Sequence, residues 1–175
     1  MNPFTLFDIP PAYRVDLEAL EKTYQQLSMR LHPDRHTHSL PGERKAALLK
    51  MAQINEAWNI LQNPIARAEA LFRLGGFALG EASEPKPEKD FLMAIMDLRE
   101  DLEKAHRDRD ARAIEDLKRS VQSRCMQIEE ELADQLFLTS SMSCSHLESL
   151  LPKLSQLRYF SHFLKEVDML QEEHY

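Results

Sequence analysis

The chain has 175 residues, 43% of them hydrophobic, which is enough for one medium domain or two small ones with real cores. Its apolar runs are too short to cross a bilayer, and its start has neither a basic signal region nor an Arg-rich transit pattern, which favours a cytoplasmic, bacterial-type setting. Residues 1–75 carry 9 Lys+Arg against 8 Asp+Glu and the remainder 13 against 21, so the acidic C-terminal part disfavours nucleic-acid and membrane partners.

Two amphipathic helices are predicted in the N-terminal part. Apolar residues recur at steps of three and four from Leu17 to Leu31, and Asp16 is suited to cap the first helix. Pro33 ends that helix, because the residue before a proline is pushed out of the α region. Pro41 suits the first turn of the second helix, whose apolar stripe runs from Ala47 to Leu61.

The loop between these helices, from His32 to about Leu40, is polar. Two helices joined by a short loop form an antiparallel hairpin. The tip of this hairpin therefore displays the tripeptide His32-Pro33-Asp34.

A boundary is predicted after the hairpin. Asn63-Pro64 ends the second helix, a short helix follows, and Gly75-Gly76 can supply a left-handed C-cap. The aperiodic segment with Gly80, Pro85 and Pro87 indicates a linker. We therefore expect a domain at 1–75, a linker at 76–87 and a second domain at 88–175.

Three helices are predicted beyond the linker, near Lys89–His106, Asp110–Leu136 and His146–Leu170. The short connection at residues 107–109 makes the first two antiparallel neighbours, and a three-helix bundle follows. Pro152 either kinks the last helix or marks its start. The expected fold class is all-α throughout.

The first bundle helix has more apolar surface than one core needs. At 100° per residue, Leu92, Met93 and Met96 point away from the stripe that begins at Phe91, and they share their side with Asp97 and Glu100. Exposed apolar patches rimmed by charge usually mark partner sites, although a neighbouring helix or the N-terminal domain is the alternative cover.

The two cysteines lack the spacing of a zinc or cluster site. Cys125 falls on an apolar stripe and is expected to fill the core, and Cys144 has no thiol nearby in sequence. We expect no metal and no cofactor.

The N-terminal part resembles the J-domain, the module by which co-chaperones stimulate DnaK-class chaperones. The resemblance covers Phe4 to about Leu74, and its motifs are Phe4-Thr5-Leu6-Phe7, Tyr24-Gln25-Gln26-Leu27, His32-Pro33-Asp34 and Ile54-Asn55-Glu56-Ala57-Trp58-Asn59-Ile60-Leu61. The tripeptide alone is a weak motif, but its place between two periodic helices makes it specific. The resemblance implies chaperone binding by His32, Pro33 and Asp34. Flanking cationic contacts come from Lys22, Arg30 and Arg35.

Over nearly its whole length the chain is similar to the HscB family of iron–sulfur co-chaperones. Further motifs are Arg67-Ala68-Glu69, Gly76-Phe77, Phe91-Leu92-Met93 and Leu98-Arg99-Glu100. The resemblance implies that the C-terminal domain binds the cluster scaffold IscU and delivers it to the chaperone HscA. The scaffold-binding positions it implies are Leu92, Met93, Met96, Asp97, Glu100 and Tyr159. An acidic family position is Lys104 here, which reverses one contact charge.

Three other functions compete with this one. A J-domain co-chaperone for a different dedicated client is the nearest alternative. A metal-dependent enzyme would use His32, Asp34, His36 and His38, but these lie on one loop without a nucleophile or a cleft. A purely structural adaptor would not need the tripeptide. We expect no enzymatic activity.

Overall fold

The computed structural model describes residues 2–31, 41–77, 79, 87–137 and 144–172, with the backbone alone described at Pro41 and Cys144. Its helices are α1 (Pro3–Leu6), α2 (Leu17–Leu31), α3 (Pro41–Gln62), α4 (Pro64–Leu74), α5 (Lys89–Arg107), α6 (Ala111–Gln135) and α7 (Cys144–Glu172). Over the described residues there is no strand, and one isolated bridge is the only β-type pairing. The all-α prediction is confirmed.

The N-terminal unit is built from a capped helix α2 and from three helices that pack on α3. The Asp16 carboxylate accepts from the Ala19 N–H at 3.0 Å, which caps α2 as predicted. Helices α2 and α3 pack against each other, and α1 and α4 both pack on α3. Ile54 and Leu61 are at most 1% exposed, whereas Leu17 at the start of α2 is 47% exposed. The first residue of the apolar stripe of α2 therefore lies largely at the surface.

Helix α4 has a complete set of end signals. The Asn63 side chain accepts from the backbone N–H groups of Ile65 and Ala66, both at 3.0 Å, and Pro64 occupies the first turn. At the other end Gly76 adopts a φ of +85°, which an L side chain rarely takes, while Gly75 stays at −73°. The left-handed residue is thus the second glycine of the pair.

The chain divides into two compact units. The first is Met1–Ala78 together with Leu136–Met142, and the second is Leu79–Gln135 together with Ser143–Tyr175. The start of the connection between α6 and α7 therefore clusters with the N-terminal helices. Helix α6 ends at Gln135, one residue before the predicted end at Leu136.

The second unit contains α5, α6 and α7, which pack around a shared apolar core. Lys118 pairs with Asp168 at 2.7 Å, and Lys153 pairs with Glu131 at 2.7 Å, so α6 is tied to α7 at two levels. The hydrogen bond that the Lys118 ammonium donates to the Asp168 carboxylate raises the pKa of Lys118.

The structure tests two predictions about single residues of this unit, Pro152 and Cys125. Helix α7 runs through Pro152, which is exposed, so the helix does not start there. Cys125 is buried on α6 as predicted, and burial raises its pKa to about 11, which leaves the thiol protonated near neutral pH. None of the described helices is long and apolar enough to cross a membrane.

Candidate functional site

The predicted chaperone-binding residues lie around the connection between α2 and α3. His32, Pro33, Asp34 and Arg35 lie outside the described residues, as do His36 and His38. Lys22 and Arg30 are exposed on α2, where both charges are accessible to a partner. Helix α2 ends at Leu31 and α3 begins at Pro41, so the described helices flank the tripeptide on both sides.

The hairpin that carries this connection is held by aromatic packing and one hydrogen bond. The Tyr24 ring on α2 stacks on the Trp58 ring on α3, with centroids 4.8 Å apart. The Tyr24 hydroxyl donates to the Asn55 side-chain oxygen at 3.0 Å. Both contacts join the helices well away from the loop, so they fix the hairpin register without using the loop residues.

The predicted scaffold-binding residues of α5 share one exposed face. Leu92 is 37% exposed, Met93 54% and Met96 69%. Asp97 and Glu100 are also exposed, and they continue the same face toward the C-terminal end of the helix. We call these five residues, with Tyr159, the docking face.

The opposite side of α5 explains why the docking face stays exposed. Ile95, Leu98 and Leu102 are at most 8% exposed and form the core-facing stripe. A straight helix presents one stripe to its core, so side chains about 100° or more from that stripe remain at the surface. The neighbouring helices of the bundle therefore leave the apolar residues of the docking face uncovered, and the expectation of an outward apolar patch is confirmed.

Tyr159 joins the docking face from α7 through an aromatic cluster. The Phe91 ring meets the Tyr159 ring edge to face, with centroids 5.7 Å apart, and meets Phe160 at 5.5 Å. Phe160 is 4% exposed and anchors the cluster in the core, while Tyr159 is 36% exposed. Because Phe91 directly precedes Leu92, this cluster holds Tyr159 beside the start of the apolar patch.

The carboxylates of the docking face are available to a partner. Among the described residues, neither Asp97 nor Glu100 has an ion pair, whereas the neighbouring Arg99 pairs with Glu166 on α7 at 3.5 Å. Lys104 is exposed one turn beyond Glu100. The face therefore changes along α5 from apolar to acidic and then to one basic side chain.

Comparisons with known proteins agree over nearly the whole chain. A family model described as the HSCB C-terminal oligomerisation domain matches residues 87–168, and the DnaJ domain model matches residues 3–70. Two curated relatives are the co-chaperone protein HscB homologs of Shewanella pealeana and Shewanella halifaxensis. Each is 32% identical to this chain over 173 residues, which is 98% of this chain and 98% of the relative. The chain belongs to the HscB family of co-chaperones.

Solved structures show the same HscB architecture. Chaperone HscB from Vibrio cholerae superposes with a TM-score of 0.83 at 27% identity and covers 99% of both chains. The human co-chaperone HscB superposes with a TM-score of 0.85 at 23% identity, over 98% of this chain and 82% of that one, and shows the fold alone. The DnaJ domain of this chain implies an Hsp70-type chaperone partner.

Sequence reasoning predicted the exposed apolar residues of α5 but missed the aromatic residue that packs beside them. Phe91 was expected in the core stripe, and the structure shows it half-buried between two aromatic rings of α7. No signal in the sequence gives the register of α5 against α7, which decides this contact. Tyr159 itself came from the family resemblance and not from helical geometry.

Proposed function

We propose that this chain brings an iron–sulfur scaffold protein of the IscU type to a DnaK-class chaperone of the HscA type in the cytoplasm. In this proposal the docking face binds the scaffold, and His32-Pro33-Asp34 stimulates the ATPase of the chaperone. Membership of the HscB family and the match to the DnaJ domain support the proposal. The chain itself acts as a binding protein with two separate surfaces.

The single observation that carries the proposal is the exposed apolar patch of α5. Methionine suits a partner surface because its side chain is flexible and polarisable. Met93 and Met96 are both more than half exposed, so a partner that covers them removes apolar surface from water. Asp97 and Glu100 beside them favour a partner with basic residues at the edge of its contact.

The chaperone-binding half of the proposal depends on charge and on a rigid loop. The carboxylate of Asp34 and the imidazole of His32 provide charge-assisted hydrogen bonds, and Pro33 restricts the backbone between them. Binding that favours the hydrolysis-competent state of the chaperone raises the population of that state. Lys22 and Arg30, exposed on α2, attract an acidic partner surface.

A steady-state ATPase assay tests both halves together. The purified chaperone is measured alone, with this chain, with the scaffold and with both. We expect the three-component mixture to hydrolyse ATP faster than any pair, because the chain delivers the scaffold while its tripeptide acts on the chaperone. A rate no higher than that of chaperone and chain alone contradicts the delivery of a scaffold of this type.

Self-association through the docking face is a second candidate, favoured by the description of the matching C-terminal domain as an oligomerisation domain. Light scattering during gel filtration separates the two. A concentration-dependent dimer that Met96→Glu abolishes favours self-association, because a charge would then lie in the interface. A monomer at all concentrations favours the scaffold.

A further inference from the structure

The start of the connection between α6 and α7 pairs with the N-terminal segment of the chain. Helix α6 ends at Gln135, and the next residue accepts a hydrogen bond at its carbonyl oxygen from the Tyr13 N–H at 3.0 Å. Ala12 and Phe137 form an antiparallel bridge at the same place. Leu136 has no exposed surface, whereas Phe137 is 47% exposed. The two neighbouring side chains therefore differ sharply in burial.

The side chain of Tyr13 packs against a buried arginine of α4. The guanidinium carbon of Arg67 lies 4.8 Å from the centroid of the Tyr13 ring, and Arg67 Nη1 donates to the Leu61 carbonyl at 2.6 Å. Tyr13 is 2% exposed and Arg67 7%. A cation is buried only where specific partners compensate for its lost hydration. The arginine, the tyrosine and the α6–α7 connection thus form a continuous set of contacts in the N-terminal unit.

We propose that the N-terminal unit is a discontinuous folding unit and that Leu136 completes its core. Leu136–Met142 clusters with Met1–Ala78, although it lies far along the sequence. Without this segment the Tyr13 N–H loses its backbone acceptor and a fully buried leucine is missing from the unit. The J-domain of this chain therefore depends for its stability on a segment that lies in sequence between α6 and α7, two helices of the second unit.

The test uses the full chain with one reporter in each unit. Trp58 is the only tryptophan, and it lies on α3, so its fluorescence reports the N-terminal unit. Cys125 is buried on α6, so its reaction with a thiol reagent reports the second unit when Cys144 is replaced by Ser. We expect Leu136→Ala to lower the midpoint seen by Trp58 by about 10 °C or more, as large-to-Ala core changes do in small domains. The midpoint seen by Cys125 should move by less than about 3 °C, since a residue outside that core contributes little to it.

Phe137→Ala is the matched control, because it shortens the adjacent, half-exposed side chain. It should move both midpoints by less than about 3 °C. An unchanged Trp58 midpoint in Leu136→Ala, or an equal shift of both reporters, overturns the proposal, because Leu136 would then not belong specifically to the N-terminal core.

Hydrogen exchange of the unmodified protein gives a measurement that does not depend on folding of a variant. The Tyr13 amide should exchange as slowly as the amides of α3, because its hydrogen bond breaks only when the N-terminal unit opens. Exchange of the Tyr13 amide at the rate of an unprotected amide overturns the proposal.

Discussion

Truncating the apolar patch of α5 separates a docking surface from core packing. The variant is Leu92→Ala with Met93→Ala and Met96→Ala. In the folded chain these side chains are 37%, 54% and 69% exposed. Unfolded chains are compact and also hide part of their apolar surface. Met96 therefore buries almost no additional apolar surface when the chain folds. We expect the three changes together to lower the free energy of unfolding by only about 1 kcal/mol.

The expected effect on scaffold binding is much larger. Interface anchors cost about 1 to 2 kcal/mol each when truncated, so losing three weakens the complex by about 3 to 6 kcal/mol. Each 1.4 kcal/mol is about a tenfold change in Kd, and the expected loss of affinity is therefore roughly 100-fold to 10,000-fold. The same variant should keep its scaffold-independent stimulation of the chaperone, since the tripeptide is unchanged.

Calorimetric titration with the scaffold and a thermal melt measure the two quantities. Met126→Ala with Met169→Ala is the matched control, because these methionines are 63% and 64% exposed on α6 and α7. It should leave affinity and melting temperature unchanged. Ile95→Ala, from the buried stripe of the same helix, should cost about 2 to 5 kcal/mol of stability. A triple variant that melts like the Ile95 variant, or that binds normally, refutes the assignment of the docking face.

Three further predictions use separate groups. His32→Gln and Asp34→Asn should abolish stimulation of the chaperone ATPase while leaving the melt and scaffold affinity intact, and normal stimulation by both would count against the J-domain role. Asp97→Asn with Glu100→Gln should slow scaffold association several-fold at low salt, with less effect at high salt because ions screen exposed charges; an effect independent of salt would contradict electrostatic attraction. The pKa of Cys125 is raised from 9.0 to about 11, so its contribution to stability is complete below pH 9 and is lost as the pH rises toward 11. In urea unfolding measured at several pH values, the free energy of unfolding of Cys125→Ala should fall less between pH 9 and pH 11 than that of the unchanged chain, by on the order of 1 to 2 kcal/mol. An equal fall in both proteins would contradict burial as the cause of the raised pKa.

The helices and their end signals were largely predictable because they depend on near neighbours in sequence. The Asp16 cap of α2 and the proline in the first turn of α3 both appear where the residue types indicate them. The structure differs from the sequence-based expectation at helix ends, because a local pattern does not show what lies beyond the helix. Leu17 matches the α2 stripe but is 47% exposed, because a period of 3.6 does not show how far a packing partner extends.

The sequence by itself determined the two faces of α5 and the place of the tripeptide between two helices. Both follow from periodicity and from proline chemistry, which act over a few residues. Only the tertiary structure decided that Tyr159 packs against Phe91, the residue before Leu92, and that Leu136 clusters with the N-terminal unit. These contacts depend on helix register and on pairing between distant segments, and such non-local terms leave no period in the sequence.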